Sequence, residues 1–449
     1  MGEVLQLMVK DLTEEGEGIA YSPSGLKVFI RGAYPNEVVK AELYDVKEKY
    51  AQGRLQQVVE QTVPRCTPFC TNQCGSCSYT NIGYESEISF KEKKLLDLYE
   101  NLPGNLFEKK MYQGFVGMDN PFRYRNKAIY AVEKINDEYQ VGLYRRNSHD
   151  IISVNECAVE PEWINIARNS LRNTLNSESF RRETGEENDR TLRYVFFRGT
   201  DDGEKLAVLV VYRKFREIEI LMNTLNSIGI RNVLVSVNDC SGNRILGDSM
   251  EVLSGSDCIS AELLNLKFVV NPYSFLQINT EQTEKLYTLA VDLLEPETDD
   301  EILDLYCGIG TISLYLAGKC RMVYGVECVK EAIDNANSNA KANGIRNVDF
   351  RVGLVEKVLP EIISEGHRLT KAVLDPARKG CAPGVFKALS SAGIDRIAYI
   401  SCNPKTQCRD MAEASACGYK IDKLIAVDMF PHTLHVETVV LLSREKQNG

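Results

Sequence analysis

The chain lacks any apolar run long enough to span a membrane, and it lacks a basic, apolar leader. Its first residues, Met1-Gly2-Glu3-Val4-Leu5-Gln6, carry an acid, and Gln6 stands where a myristoylation site needs serine or threonine. These absences predict a cytoplasmic protein with no membrane partner. A basic excess is also missing: 53 Lys and Arg against 63 Asp and Glu leave a formal charge of −10. That balance argues against strong sequence-blind binding to nucleic acid, which depends on neutralising phosphates. No internal repeat or low-complexity segment is present, so a repeat architecture is excluded. Cysteine, in contrast, is plentiful at 14 in 449 residues. In a reducing compartment clustered thiols read as metal ligands rather than disulfides.

One of those thiols stands apart. Arg396-Ile397-Ala398-Tyr399-Ile400-Ser401-Cys402-Asn403-Pro404 is an apolar strand that must stop at Pro404, which has no N–H for a strand ladder. Ligands of open α/β sheets bind outside the carboxyl ends of the strands, so Cys402 faces the expected place of chemistry. A lone cysteine is more often a small buried hydrophobe. Its surroundings decide the matter.

About a hundred residues earlier, Glu301-Ile302-Leu303-Asp304-Leu305-Tyr306-Cys307-Gly308-Ile309-Gly310-Thr311 reads as a buried strand, a glycine turn and a helix start. The next strand, Met322 to Glu327, ends in an acid suited to a ribose diol. Dinucleotide binders need G-x-G-x-x-G to seat a pyrophosphate on the helix N-terminus. Here Gly308 and Gly310 are followed by Thr311 and then Ser313. A ligand without a pyrophosphate, such as S-adenosylmethionine, fits better. A polar helix to Asn343 follows, then strand Val348 to Val352, a helix near Leu359, strand Lys371 to Asp375, a helix near Leu389 and the Cys402 strand. Two closing runs, Tyr419 to Met429 and His435 to Ser443, are too close for a helical crossover and predict an antiparallel edge on a parallel sheet. The fold class is therefore α/β, a Rossmann-like methyltransferase sheet.

Four segments together resemble the RNA uracil-C5-methyltransferases, most closely the bacterial 23S ribosomal RNA enzymes. They are Leu303-Asp304-Leu305-Tyr306-Cys307-Gly308, Leu374-Asp375-Pro376-Ala377-Arg378, Ser401-Cys402-Asn403-Pro404 and Phe430 to Glu437. The resemblance implies Cys402 as the nucleophile that adds to carbon 6 of uracil and Glu437 as the base that removes the carbon 5 proton. It implies cofactor contacts at Gln277, Tyr306, Gly308, Thr311 and Glu327, with Asp375 on the cofactor or the uracil edge. Amino-group methyltransferases carry Asp-Pro-Pro-Tyr or Asn-Pro-Pro-Tyr where this chain has Asp-Pro-Ala-Arg. Cys381 lies too far past Asp375 for the Pro-Cys nucleophile of the RNA cytosine-C5 enzymes.

The cluster Cys66, Cys70, Cys74 and Cys77, with the distant Cys157, resembles the ligand set of a 4Fe-4S cluster in the ribosomal subfamily. Cys66, Cys74, Cys77 and Cys157 are the expected ligands, with Cys70 the alternative to Cys66. A zinc ribbon is the other metal reading, since four thiolates also suit zinc. Cys70-x3-Cys74-x2-Cys77 further reproduces the spacing of radical S-adenosylmethionine enzymes, although Ser76 replaces the aromatic residue found there.

The opening runs Val4 to Leu12, Gly18 to Tyr21, Lys27 to Ile30, Val38 to Val46 and Ala51 to Val59, separated by glycine and polar turns, predict a small β-barrel. It resembles a TRAM domain, an RNA-binding barrel. Three domains are expected: the TRAM/OB-like barrel at 1–62, a cysteine-bearing central α+β RNA-binding region at 63–262 and the methyltransferase at 263–449. Glu85 to Leu102 reads as an amphipathic helix, and Asn176 to Arg190 as a polar loop or helix end. Two patches, Phe122 to Lys127 and Tyr144 to Asn147, interleave basic and aromatic residues as RNA-binding surfaces do. The expected partner is RNA, not DNA, with a flipped-out uridine in 23S ribosomal RNA and the T-loop uridine of transfer RNA as the rival. The expected oligomeric state is a monomer. The other readings are a radical iron-sulfur methylase and an RNA-binding factor without catalysis.

Overall fold

The computed structural model describes all residues except 1, 73, 147, 181–191, 201–202, 216, 241, 243 and 445–449. Asn147 and most of the polar run 176–190 therefore lie outside the described residues. The chain forms two compact units, residues 1–94 with 430–435 and residues 95–429 with 436–449.

In the first unit, short strands that bury only one face remove their edges by closing. β1 (Val4–Leu12), β2 (Glu17–Tyr21), β3 (Lys27–Arg31), β4 (Val38–Tyr44) and β5 (Tyr50–Glu60) form a closed barrel in the order β1-β2-β3-β5-β4. All five runs expected from the sequence are strands. Val9, Ala20, Val28, Ile30, Val39 and Ala51 fill the interior. Glu37 is fully buried and is paired by Arg65, whose Nε donates to it at 2.9 Å and whose guanidinium lies 5.0 Å from the Tyr34 ring. A buried carboxylate requires such a partner.

Helix α1 (Tyr84–Glu100) begins in this unit. Its Glu87 accepts the His432 backbone N–H at 2.6 Å and the Lys91 ammonium at 2.6 Å. Lys91 also donates to the Phe430 carbonyl at 3.3 Å. A buried charged pair thus ties the segment Phe430–His435 to the helix.

The second unit holds two large sheets. After the short β6 (Tyr112–Val116), strands β7 (Lys127–Ile135), β8 (Glu138–Tyr144), β9 (Ile151–Ser153), β10 (Leu192–Gly199), β11 (Lys205–Val211), β12 (Asn232–Val237) and β13 (Met250–Ser254) make a sheet ordered β13-β12-β11-β10-β7-β8-β9. Helices α2 (Glu162–Leu175) and α3 (Ile218–Ser227) cover one face through Leu171, Leu175, Leu221 and Leu225. A hairpin of β14 (Ile259–Leu263) and β15 (Leu266–Val270) leads to α4 (Thr280–Leu294).

Strands and helices then alternate: β16 (Glu301–Leu305), α5 (Thr311–Ala317), β17 (Met322–Glu327), α6 (Lys330–Ala342), β18 (Val348–Val352), α7 (Val355–Ser364), β19 (Leu369–Leu374), α8 (Val385–Ser391), β20 (Arg396–Ser401), α9 (Pro404–Ala416), β21 (Lys420–Val427) and β22 (Glu437–Ser443). The sheet order is β18-β17-β16-β19-β20-β22-β21-β6. β18 through β20 are mutually parallel, and β22 is antiparallel to both of its neighbours. No helix joins β21 to β22, which makes that pairing antiparallel as expected. Helices cover the sheet, so β16 is buried along its whole length, an apolar run that opens on Glu301 and is interrupted by Asp304. The outermost strand, β6, runs parallel to β21. No helix among the described residues is long and apolar enough to cross a membrane.

Candidate active site

Parallel strands bring their carboxyl ends to one edge, and there the sheet assembles most of the residues singled out by sequence. β16 ends at Leu305, and the chain turns through Tyr306, Gly308 and Gly310 with φ of 69°, 55° and 82° before α5 begins. Gly310 is required twice over. A Cβ there would stand 2.9 Å from the Phe350 ring and 3.2 Å from Ala336, at a φ that side chains resist. Gly308 faces open space instead, with nothing within 4 Å of a Cβ position, so a ligand can approach its backbone.

Glu327, at the end of β17, accepts from the Gly308 N–H at 3.3 Å and from the Val329 N–H at 2.9 Å. Its carboxylate is thereby fixed at the rim of the turn. Asp304 is fully buried beneath it; Oδ2 accepts from the Ser313 hydroxyl at 2.5 Å, while Oδ1 has no hydrogen-bond partner. Burial pushes this carboxyl up to about 7. An orphaned carboxylate oxygen, an exposed glycine backbone and an acid at the next strand end fit a cationic nucleoside such as S-adenosylmethionine. Thr311 is buried at the first position of α5, and the Tyr306 hydroxyl accepts the Ala382 N–H at 3.2 Å.

Cys402 occupies the turn between β20 and α9. Ser401 Oγ accepts the Asn403 N–H at 3.1 Å, Asn403 caps the helix by accepting from the Lys405 N–H at 3.2 Å, and Pro404 opens it. The β20–β22 register ends with Ser401 opposite Thr438. Cys402 is the residue just past the end of β20 and Glu437 the first residue of β22, and the Glu437 charge acts on the thiol. Glu437 is 1% exposed, and burial, then the Asp375 charge, push its carboxyl up to about 8 against a smaller opposing effect of Arg378. Burial and then the Glu437 charge push the Cys402 thiol up to about 11. Asp375, just past β19, is pushed up to about 7 by burial and by Asp304. A half-buried thiol beside a carboxylate that ionises near neutrality can add to a ring and then remove a proton from it.

Gln277 lies in the loop before α4, and the seven-stranded sheet holds that loop. Asn126 Nδ2 donates to the Gln277 carbonyl at 2.9 Å, and the buried Arg198 donates to the carbonyls of Asn271 and Ser274 at 2.9 and 2.8 Å. The first basic patch is thus largely inward. Arg123 pairs with Glu156 at 2.7 Å, and burial beside Arg198 and Arg125 lowers Lys127 to about 8. In the second patch, Tyr144 is exposed and its hydroxyl meets that of Tyr194 at 3.2 Å.

The cysteine quartet departs from expectation. Among the described residues, no group of three or more His, Cys, Asp or Glu side chains could hold a metal ion. The expected 4Fe-4S ligand set of Cys66, Cys74, Cys77 and Cys157 thus finds no support among the described residues. Local contacts hold the loops instead: the Cys66 N–H donates to Asn81 O at 3.0 Å, the Cys77 carbonyl accepts from Arg31 at 3.2 Å, and Asn165 Oδ1 accepts the Cys157 N–H at 2.8 Å. Spacing identifies thiols that suit a metal, but convergence of their sulfur atoms is a tertiary property.

Two residues of the site were missed by the sequence reading. Asp304 carried a signal, being an acid set within the apolar run Ile302 to Leu305. Tyr287 of α4 carried none beyond its inward position on the helix.

A family model described as tRNA (uracil-5-)-methyltransferase matches residues 84–445, and one described as TRAM domain matches residues 1–55. An uncharacterized RNA methyltransferase of Halalkalibacterium halodurans is 35% identical over 98% of this chain and 97% of its own length. A second, from Clostridium tetani, is 34% identical over 97% and 95%. Among solved structures, the Pyrococcus abyssi tRNA (uracil-54, C5)-methyltransferase in complex with S-adenosyl-L-homocysteine superposes with a TM-score of 0.76 at 26% identity, covering 97% of this chain and 99% of that one.

Proposed function

This chain belongs to the tRNA (uracil-5-)-methyltransferase family, and on that premise we propose that it methylates carbon 5 of a uridine in 23S ribosomal RNA through a covalent bond to Cys402. The protein is an S-adenosylmethionine-dependent RNA methyltransferase with a TRAM barrel. The observation that carries the mechanism is the placing of Cys402 and Glu437 just past the last pair of the β20–β22 register, Ser401 with Thr438, near enough for the Glu437 charge to act on the thiol. Carbon 5 of uracil is a poor nucleophile until a thiolate adds to carbon 6, which forms the S–C6 bond and moves the double-bond electrons into an enolate. S-adenosylmethionine, held by Gly308, Thr311, Glu327 and Gln277, would supply an electrophilic methyl group. Glu437 then takes the carbon 5 proton, the carbon 5–carbon 6 double bond returns, and Cys402 leaves as thiolate.

Asp375 offers its carboxylate to the uracil edge. The TRAM barrel and the exposed Tyr144 of the central sheet are suited to RNA rather than DNA, through shape and stacking. The likeness to the Pyrococcus abyssi enzyme supports a second reading, a transfer RNA uridine. Mapping 5-methyluridine in ribosomal and transfer RNA from cells with and without the gene decides between them. Loss from 23S ribosomal RNA alone supports the first reading, and loss from transfer RNA alone the second. S-adenosylhomocysteine as product, without 5′-deoxyadenosine, excludes the radical route.

The pH dependence follows from Glu437. As a proton acceptor it must be ionised, and its carboxyl ionises near 8. The rate at which free methylated RNA is released therefore rises with pH, about tenfold per unit well below that value, and levels off above it. A rate flat from pH 6 to pH 9 would remove Glu437 from the proton-transfer step. Stability runs the other way. The folded state holds this proton up to about 8 while an unfolded glutamate releases it near 4.5. Stability from this group is thus present below the lower value and is lost as pH rises through the interval.

The cysteine quartet as a 4Fe-4S site rests on spacing and resemblance. It predicts iron and acid-labile sulfide in anaerobically purified protein, lost on Cys77→Ser. Metal-free protein with full activity would discard it.

A further inference from the structure

We propose that Tyr287 is a positioning residue for methyl transfer, its phenol holding the Asp375 carboxylate as an acceptor for the uracil edge and linking it to Gln277. The inference rests on the functional reading above. α4 lies across β19, β20 and β22, whose ends bear Asp375, Cys402 and Glu437, so an inward side chain of this helix can meet the two acids there. Tyr287, 5% exposed, is that side chain. Its hydroxyl donates to Asp375 Oδ2 at 3.4 Å, and the Gln277 side chain hydrogen-bonds the phenol oxygen. Among the described residues no other side chain donates to the Asp375 carboxylate.

Phenylalanine would fill the same space, so the distinctive gift of tyrosine here is a hydrogen bond. The groups facing Asp375 make that donor useful. Asp304 of β16 raises Asp375, and Glu437 of β22 and the Cys402 thiol bear like charge when ionised. The cation nearby, Arg378, is exposed and acts on Glu437 and Cys402. An unassisted carboxyl in this place tends to take up a proton and lose its capacity to accept from a ring N–H. The phenol is buried and is itself held far above its ordinary range, so it remains a donor throughout the working pH interval.

The test is the pH profile of single-turnover methylation by wild type, Tyr287→Phe, Asp375→Asn and the double variant. Thermal melts establish that each is folded. Tyr287→Phe should move the acid limb up by about half a unit to one unit. It should slow methylation by about twofold to fivefold near pH 7 and recover to nearly the wild-type rate at pH 9. On the Asp375→Asn background the same change should shift nothing further, because its target is gone. A uniform loss at every pH, or an effect that persists undiminished without Asp375, would overturn the proposal. Covalent capture of 5-fluorouridine RNA by the wild type is measured alongside. Its absence would sink the covalent reading itself, whereas capture with an unmoved acid limb would sink only the role of Tyr287.

Discussion

Cys402→Ala should bind cofactor and RNA yet form product at least about ten-thousandfold more slowly than the wild type. On the proposed mechanism carbon 5 becomes nucleophilic through this sulfur, and neither carboxylate at the strand edge replaces it. Asp375 and Glu437 are carboxylates that ionise near 7 and 8, too weakly nucleophilic toward a neutral pyrimidine. The fold should tolerate the change. Cys402 is half-buried in a turn secured by its neighbours Ser401, Asn403 and Pro404, and no strand pairing passes through its own side chain. Removing a small, partly exposed side chain costs about 1 kcal/mol or less. Loss of activity should therefore accompany an almost unchanged melting temperature. The thiol ordinarily ionises near 11, so only a small fraction is thiolate at neutral pH, and substrate must arrive before the proton leaves. Iodoacetamide should accordingly label Cys402 slowly below pH 9.

Glu437→Gln should do the opposite of silencing the site: it should trap it. The Glu437 charge is among the causes that raise the Cys402 thiol, so a neutral glutamine of the same shape leaves thiolate addition at least as favourable. Methyl transfer can follow. The carbon 5 proton then has no acceptor, the sulfur cannot be expelled, and methylated RNA stays bonded to protein. Turnover should fall by about a thousandfold, the upper part of the range for general bases. A band of protein bonded to RNA should survive denaturing electrophoresis in near-stoichiometric amount. Lost turnover without such a band would reassign the proton-transfer step to another group, with Asp375 the next candidate.

The strand-by-strand reading was legible because helix-covered parallel strands are apolar runs stopped by glycine, proline or an acid. Leu303 to Gly310, Met322 to Glu327 and Arg396 to Pro404 each announce both a strand and its carboxyl end, and therefore the edge where a site must lie. The barrel strands alternate in the manner of one-sided burial and were equally plain. Long-range pairing was not legible. Tyr112-Gln113-Gly114-Phe115-Val116 has no pattern that points to β21, more than three hundred residues later, yet it supplies the last strand of the sheet. Phe430–His435 reads as a loop, and only tertiary contacts with Glu87 and Lys91 assign it to the first unit. Tyr287 is one of several inward residues on an amphipathic helix, and its phenol acquires a role only when Asp375 and Gln277 meet it. Cysteine spacing, likewise, names a kind of ligand without gathering the sulfur atoms.

Peptide mapping by mass spectrometry, after incubating the protein with S-adenosylmethionine and RNA carrying 5-fluorouridine, tests the central claim most directly, because fluorine at carbon 5 cannot leave as a proton. The account predicts a single nucleotide adduct, methylated at carbon 5, on the sulfur of Cys402. An adduct on any other residue, or undiminished methylation of ordinary RNA by Cys402→Ala, would contradict it.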